Sequence, residues 1–274
     1  MNSNKKKWYA TPYVIWSAIF IIIPLFMIIY YGITNRSGDF DLSNLALIVE
    51  DVNRRALWLA IKLSFISTVI CLILAYPLAM ILRTRNIKSS SFIITIFILP
   101  MWMNFLLRTI AWQNILEKTG LLNSLLEFLH LPTLNVINTP TAIVIGMVYN
   151  FLPFMILPIY NSLMKIDENV VNAARDLGAN SFVTFTKVIW PLSIPGVISG
   201  ITMVFVPSLT TFAISTILGG SKINLIGNII EQEFLYKNNW HTGSGLSLVL
   251  MVIILISMTI VNKYDKEAEG SNVW

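Results

Sequence analysis

Charge is what this sequence has least of. Only 12% of its 274 residues are Asp, Glu, Lys or Arg, against about a quarter in soluble domains, and 55% are hydrophobic. Its one cysteine, Cys71, lies inside an apolar run, which excludes a disulfide framework and a cysteine-built metal cluster. The two histidines, His130 and His241, stand outside the apolar runs, so neither an imidazole relay nor a His-Glu-x-x-His zinc site can form at membrane depth. No G-x-x-x-x-G-K-[ST] loop is present to cradle a nucleotide. The net charge of +5 lies beside the apolar runs rather than in a patch, so it is no nucleic-acid footprint.

What remains is hydrophobic length. A helix rising about 1.5 Å per residue needs roughly 20 apolar residues to cross a core about 30 Å thick. The pattern predicts an all-α polytopic membrane protein, a single domain over 1–274, with six spans near 12–33, 57–82, 92–112, 141–163, 196–218 and 245–262. The first span follows Lys5, Lys6 and Lys7 and is too long for a cleaved signal, so it is expected to be retained. Lys and Arg concentrate on the side of the N-terminus, the 83–91 loop, the 164–195 loop and the tail, which places both termini in the cytoplasm. Arg54 and Arg55 run against that rule. Lys62 and Arg108, near the outer ends of their spans, are expected to snorkel to the interface. Between spans, 113–140 has the spacing of a short amphipathic helix, with Leu121, Leu122, Leu125, Leu126 and Leu129 against Asn123, Glu127 and His130. The 219–244 segment suggests another, with Ile226, Ile229, Ile230 and Phe234 on one side.

One stretch breaks the pattern: "NVVNAARDLGANSFVTFTKVIWPLSIPG", Asn169 to Gly196. Asp167 can cap a helix with Glu168 in its first turn, and Gly178 can end it in the left-handed conformation. Asn180 or Ser181 can cap a second helix running to Trp190, where Pro191 is expected to stop it. Ala174, Leu177 and Gly178 then share a face with little bulk, flanked by Arg175 and Asp176.

This elbow resembles the cytoplasmic loop of the permease subunits of ABC importers. That loop carries Glu-Ala-Ala, three residues, a Gly and a later Pro. Here Asn172-Ala173-Ala174 precede Arg175-Asp176-Leu177 and Gly178-Ala179, with Pro191 and Pro195-Gly196 downstream, between the fourth and fifth spans. Asn172 stands where Glu is usual. The resemblance implies a type I importer permease fold in a prokaryotic plasma membrane. It implies that Asn172, Ala173, Ala174, Arg175, Asp176, Gly178 and Ala179 form the contact with an ATPase. The implied partners are two ATP-binding subunits, a second permease, an extracytoplasmic substrate-binding protein and membrane lipid. ATP is then used by the partner, and this chain binds no cofactor.

The stretches "AYPLAMIL", "VYNFLPFMILPIY" and "LGGSKINLIGNIIEQEF" are similar to spermidine/putrescine permeases, from about Pro12 to Ile260. Polar and aromatic groups inside spans are costly in lipid and face protein or water. Trp102, Asn104, Tyr149, Asn150, Phe154, Tyr160, Thr210, Thr211 and Phe212 are therefore the expected substrate-path residues. No expected span holds Asp or Glu, so either the second permease supplies the carboxylates or the substrate is not a polyamine. Two other readings stay open: an importer permease for another small solute, and an ion-coupled secondary transporter.

Overall fold

The computed structural model describes residues 11–84, 96 and 99–270. In chain order the helices are α1 (Thr11–Gly32), α2 (Asp51–Thr84), α3 (Phe105–Leu116), α4 (Leu121–Phe128), α5 (Pro140–Met164), α6 (Glu168–Asp176), α7 (Ser181–Thr210), α8 (Ala213–Gly219), α9 (Ile226–Leu235) and α10 (Trp240–Gly270). Strand pairing among the described residues is limited to an isolated bridge between Thr34 and Phe40. Among the described residues five helices, α1, α2, α5, α7 and α10, are long and apolar enough to cross a membrane. The other expected span, 92–112, falls partly outside the described residues. Its described part is not one helix, because the turn Leu99–Trp102 ends before Asn104 starts α3.

Contacts group the chain into two compact units, residues up to Arg55 with Ile229–Ile254, and Ala56–Asn228 with the residues from Leu255 on.

In the first unit α1 leaves its most apolar window wholly unburied, so lipid or another subunit must cover it. Its C-terminal end is pinned to the start of α10. The Nδ1 of His241 lies 3.0 Å from the Tyr31 carbonyl and 2.7 Å from that of Thr34. Two carbonyls only accept, so Nδ1 carries the hydrogen. Gly32 sits where a methyl group would overlap Leu248, which sets how closely α1 and α10 approach.

In the second unit α5 is the enclosed helix, with 61% of its most apolar window buried. Glycines let α7 close on it: a methyl at Gly196 would overlap Ser162 and one at Gly200 would come 2.6 Å from the Met155 sulfur. At the other end of α5, Gly146 lies under Leu218 and Ile214 of α8. The α2 face against α5 is small and polar, with Ser67 donating to the Met147 sulfur at 3.3 Å.

Two expectations about α7 are corrected. Pro191 does not stop the second elbow helix, which runs on from Ser181 to Thr210. The turn Phe185–Ile189 is widened into a π-turn, closed by the Trp190 N–H on the Phe185 carbonyl. That extra width lies just ahead of Pro191, which has no N–H to give and whose ring crowds an ordinary α-turn. The same device precedes Pro24 in α1, where Ala18–Ile22 is a π-turn closed by Ile23 on Ala18. The fifth span, expected to be continuous over 196–218, instead breaks at Thr211, which is extended with ψ 137°.

Two side-chain expectations also change. Asn123 of α4 faces inward, giving Nδ2 to the Glu117 and Leu134 carbonyls and accepting from the Leu134 N–H at 2.8 Å, while Leu121, Leu125 and Leu129 are exposed. Arg108 does not snorkel to a surface. It is 7% exposed and its Nε has no partner.

Candidate functional site: the elbow and the broken span

The elbow forms from local signals. Asp167 accepts from the Asn169 N–H at 2.9 Å and starts α6, with Glu168 in the first turn and Arg175 in the last, each suited to the helix dipole. The end is a Schellman motif. The Ala179 N–H reaches the Ala174 carbonyl at 3.1 Å and the Gly178 N–H reaches that of Arg175 at 2.8 Å. This requires Gly178 at φ +85°, a conformation Gly adopts at little cost. Asn180 then caps α7 by accepting from the Val183 N–H at 2.9 Å.

The site residues expected from sequence fall together on this elbow. Asn172, Ala173, Arg175, Asp176 and Gly178 are exposed, Ala174 and Ala179 are half-buried, and Val171 is the buried anchor. No atom lies within 4 Å of where a Gly178 Cβ would stand, so the face is open. It is less bare than the spacing suggests, because Leu177 projects at 89% exposure and Phe182 of α7 at 74%. Sequence reasoning missed Phe182; an aromatic residue in the first turn after a cap in a polar loop was the available signal. Beneath the elbow lies a cavity of about 380 Å³ lined by Met80, Arg83, Asn172, Arg175, Phe185 and Ile189. Arg83 reaches across to the Ile166 carbonyl at 3.4 Å.

The expected path residues are not one cluster. Asn104 is a helix cap, its side chain accepting from the N–H groups of Leu106 and Leu107. Trp102 is 82% exposed in the turn before it. Tyr149 packs against Trp112 with ring centres 5.1 Å apart, and Trp112 was not singled out from sequence. Asn150, next to Tyr149, is buried; its Nδ2 donates to the Gly146 carbonyl at 2.9 Å and its Oδ1 has no partner. Among the described residues no ring contact or hydrogen bond joins Trp102, Phe154 or Tyr160 to these.

Thr210, Thr211 and Phe212 meet at the break between α7 and α8. Thr210 and Phe212 are exposed and Thr211 is buried. Gly227 backs the break so closely that a methyl there would stand 2.8 Å from the Thr210 carbonyl. A groove of about 650 Å³ along α5 and α7, lined by Pro158, Asn161, Ser162, Pro195, Ser199 and Met203, holds none of the expected path residues. Among the described residues no group of His, Cys, Asp and Glu is placed to hold a metal. The arrangement offers an open face at the elbow and polar breaks in apolar helices.

The binding-protein-dependent transport system inner membrane component family matches residues 72–267, which contain the elbow and the broken span. The spermidine/putrescine transport system permease protein PotB of Haemophilus influenzae is 34% identical, over 92% of this chain and 91% of that protein. PotB of Escherichia coli is 33% identical, over 89% of this chain and 92% of that protein. A chain in the crystal structure of a bacterial ABC transporter involved in the import of the acidic polysaccharide alginate has the same fold. It superposes with a TM-score of 0.81 over 96% of both chains at 16% identity. The protein with this elbow and this helix order therefore belongs to the inner membrane components of binding-protein-dependent transport systems.

Proposed function

We propose that this chain is a permease subunit of an ATP-driven importer for polyamines of the spermidine/putrescine class, and that α6 is the element through which it is driven. The observation that carries the reading is the elbow: a short capped helix with an open glycine end, set between α5 and α7. The chain's own sequence has no nucleotide loop, so hydrolysis belongs to a separate subunit. In this reading both termini and the elbow are cytoplasmic. Two ATPase copies seat on Asn172–Ala179 and its equivalent in a second permease, and an extracytoplasmic binding protein delivers the solute. When the ATPases close, the two elbows move with them and the bundle alternates its opening.

Polyamine specificity is supported by the two PotB relatives. Tyr149, Trp112, Phe154 and Tyr160 supply aromatic faces. A cation over a desolvated ring gains about 2 kcal/mol, too little to replace the hydration of two or three ammonium groups. The second permease is therefore expected to hold at least one carboxylate at membrane depth. In the reconstituted complex, Gly178→Trp is expected to abolish uptake while ATP hydrolysis continues, because bulk on the open face separates the docked surfaces. Normal uptake would remove the coupling role. Binding of spermidine and putrescine by the partner binding protein, against neutral and anionic solutes, tests the substrate; selective binding of an anion would remove that assignment alone.

A further inference from the structure

Tyr76, in the "AYP" of α2, is buried at 7% exposure and makes more directed contacts than a packing tyrosine needs. Its hydroxyl lies 2.7 Å from the Ser193 hydroxyl, and Ser193 donates to the Trp190 carbonyl at 2.9 Å. Serine has one hydrogen to give, so the tyrosine O–H donates and Ser193 accepts. The Tyr76 ring also meets Phe185 edge-on, with centres 5.8 Å apart, and Trp190 at 5.0 Å. Phe185 and Trp190 are the two residues whose carbonyl and N–H close the π-turn of α7. One side chain of α2 thus grips both ends of the wide turn and the first α-turn after it.

The surroundings make that grip matter. A π-turn has poorer hydrogen-bond geometry than the helix around it, and is a natural place for α7 to bend. Pro77, directly after Tyr76, withholds one bond from the α2 ladder at the same level. Under the elbow the cavity of about 380 Å³ separates Met80 and Arg83 of α2 from Asn172 and Arg175 of α6. An elbow pushed towards the bundle can spend its movement by rocking into that space and bending α7 at the wide turn.

We propose that Tyr76 is a positioning residue for energy coupling, which locks the π-turn of α7 to α2 so that elbow movement reaches the bundle. The proposal rests on the reading of α6 as the coupling helix. Loss of the clamp leaves the ATPases docked and hydrolysing but loosens the link to transport. A directed contact of this kind shifts a two-state equilibrium by roughly fivefold.

The test uses the complete transporter, with its ATPases, second permease and binding protein, in proteoliposomes. The reading is the ratio of ATP hydrolysed to polyamine imported. Tyr76→Phe, which keeps the ring, is expected to raise that ratio roughly fivefold with an unchanged yield of assembled complex. Ser193→Ala tests the same bond with the tyrosine ring in place, and is expected to act in the same direction. The double variant should do no more than the stronger single one, because both remove one contact. An unchanged ratio in both single variants, or fully additive effects, overturns the clamp. Gly178→Trp run alongside separates the two readings. If it leaves the ratio unchanged, the coupling role of α6 fails. If it raises the ratio while Tyr76→Phe and Ser193→Ala do not, the clamp alone fails.

Discussion

Asn228 closes the break in the fifth span by giving its Nδ2 to the Phe212 carbonyl, 3.1 Å away and 16 residues earlier. The same nitrogen reaches the Thr216 hydroxyl at 2.7 Å. Its Oδ1 accepts from the Leu225 N–H at 3.0 Å and the Ser215 hydroxyl at 2.5 Å. Thr216, which the sequence offers as a polar group within a span, is thereby part of the scaffold. Asn228→Ala strands several buried groups and is expected to cost about 3 kcal/mol, read as a lower unfolding midpoint in detergent. Asn228→Asp keeps the acceptor, loses both donations and buries a charge, so it should be at least as damaging. An unchanged midpoint in both would mean that the break holds itself.

Arg108 is the reverse case, a buried cation that lacks an acidic partner among the described residues. Replacing an unpaired buried charge by an apolar side chain of similar length relieves desolvation. Arg108→Met is expected to stabilise the purified chain by about 1–2 kcal/mol in chemical unfolding. If stability rises while uptake by the assembled transporter falls, the guanidinium serves transport.

His241 holds the end of α1 through a single N–H shared between two carbonyls. Asn at this position can present a side-chain N–H near the same place, whereas Phe cannot. His241→Phe should therefore cost about 1–3 kcal/mol and His241→Asn clearly less. Equal losses would show that ring packing against Tyr31, at 5.3 Å, outweighs the hydrogen bonds.

Gly178 separates backbone from bulk. With φ at +85°, Ala there strains the cap by about 1 kcal/mol although the space for it is free, while Asn tolerates that region better. Uptake is expected to fall in the order Gly, Asn, Ala, Trp if cap geometry and close approach both matter. Equal loss for Asn and Trp would make side-chain bulk the whole effect.

Where the sequence could be read, a local rule decided the structure. Asp167, Gly178 and Asn180 form the elbow because caps and the left-handed turn depend on neighbours a few residues away. Pro191 misled because a proline's effect depends on the width of the turn before it, which no local pattern announces. Asn104 looks like a path residue in a hydrophobic run, yet its side chain accepts from backbone N–H groups at the start of α3. Tyr76 and Ser193 are 117 residues apart, and only packing pairs them. Leu121, Leu125 and Leu129 follow a helical spacing and still face outward, since one buried Asn123 with three hydrogen bonds fixes which side of α4 turns in.

The wide turns ahead of Pro24 and Pro191 make helix length and helix phase separate quantities in this chain. A π-turn holds one residue more than an α-turn, and each residue of an α-helix advances about 100° around its axis. Removing one residue from Phe185–Ile189 would shorten α7 very little. It would leave an ordinary α-turn, so everything beyond Pro191 would keep nearly its present phase against the elbow. Gly196 and Gly200 would still face Ser162 and Met155 of α5, whereas the same deletion in a plain α-turn would swing them away by about 100°. The two wide turns are therefore places where the chain carries one extra residue without turning the helix beyond it, and the pairing of α5 with α7 tolerates a one-residue deletion there that an α-turn would not.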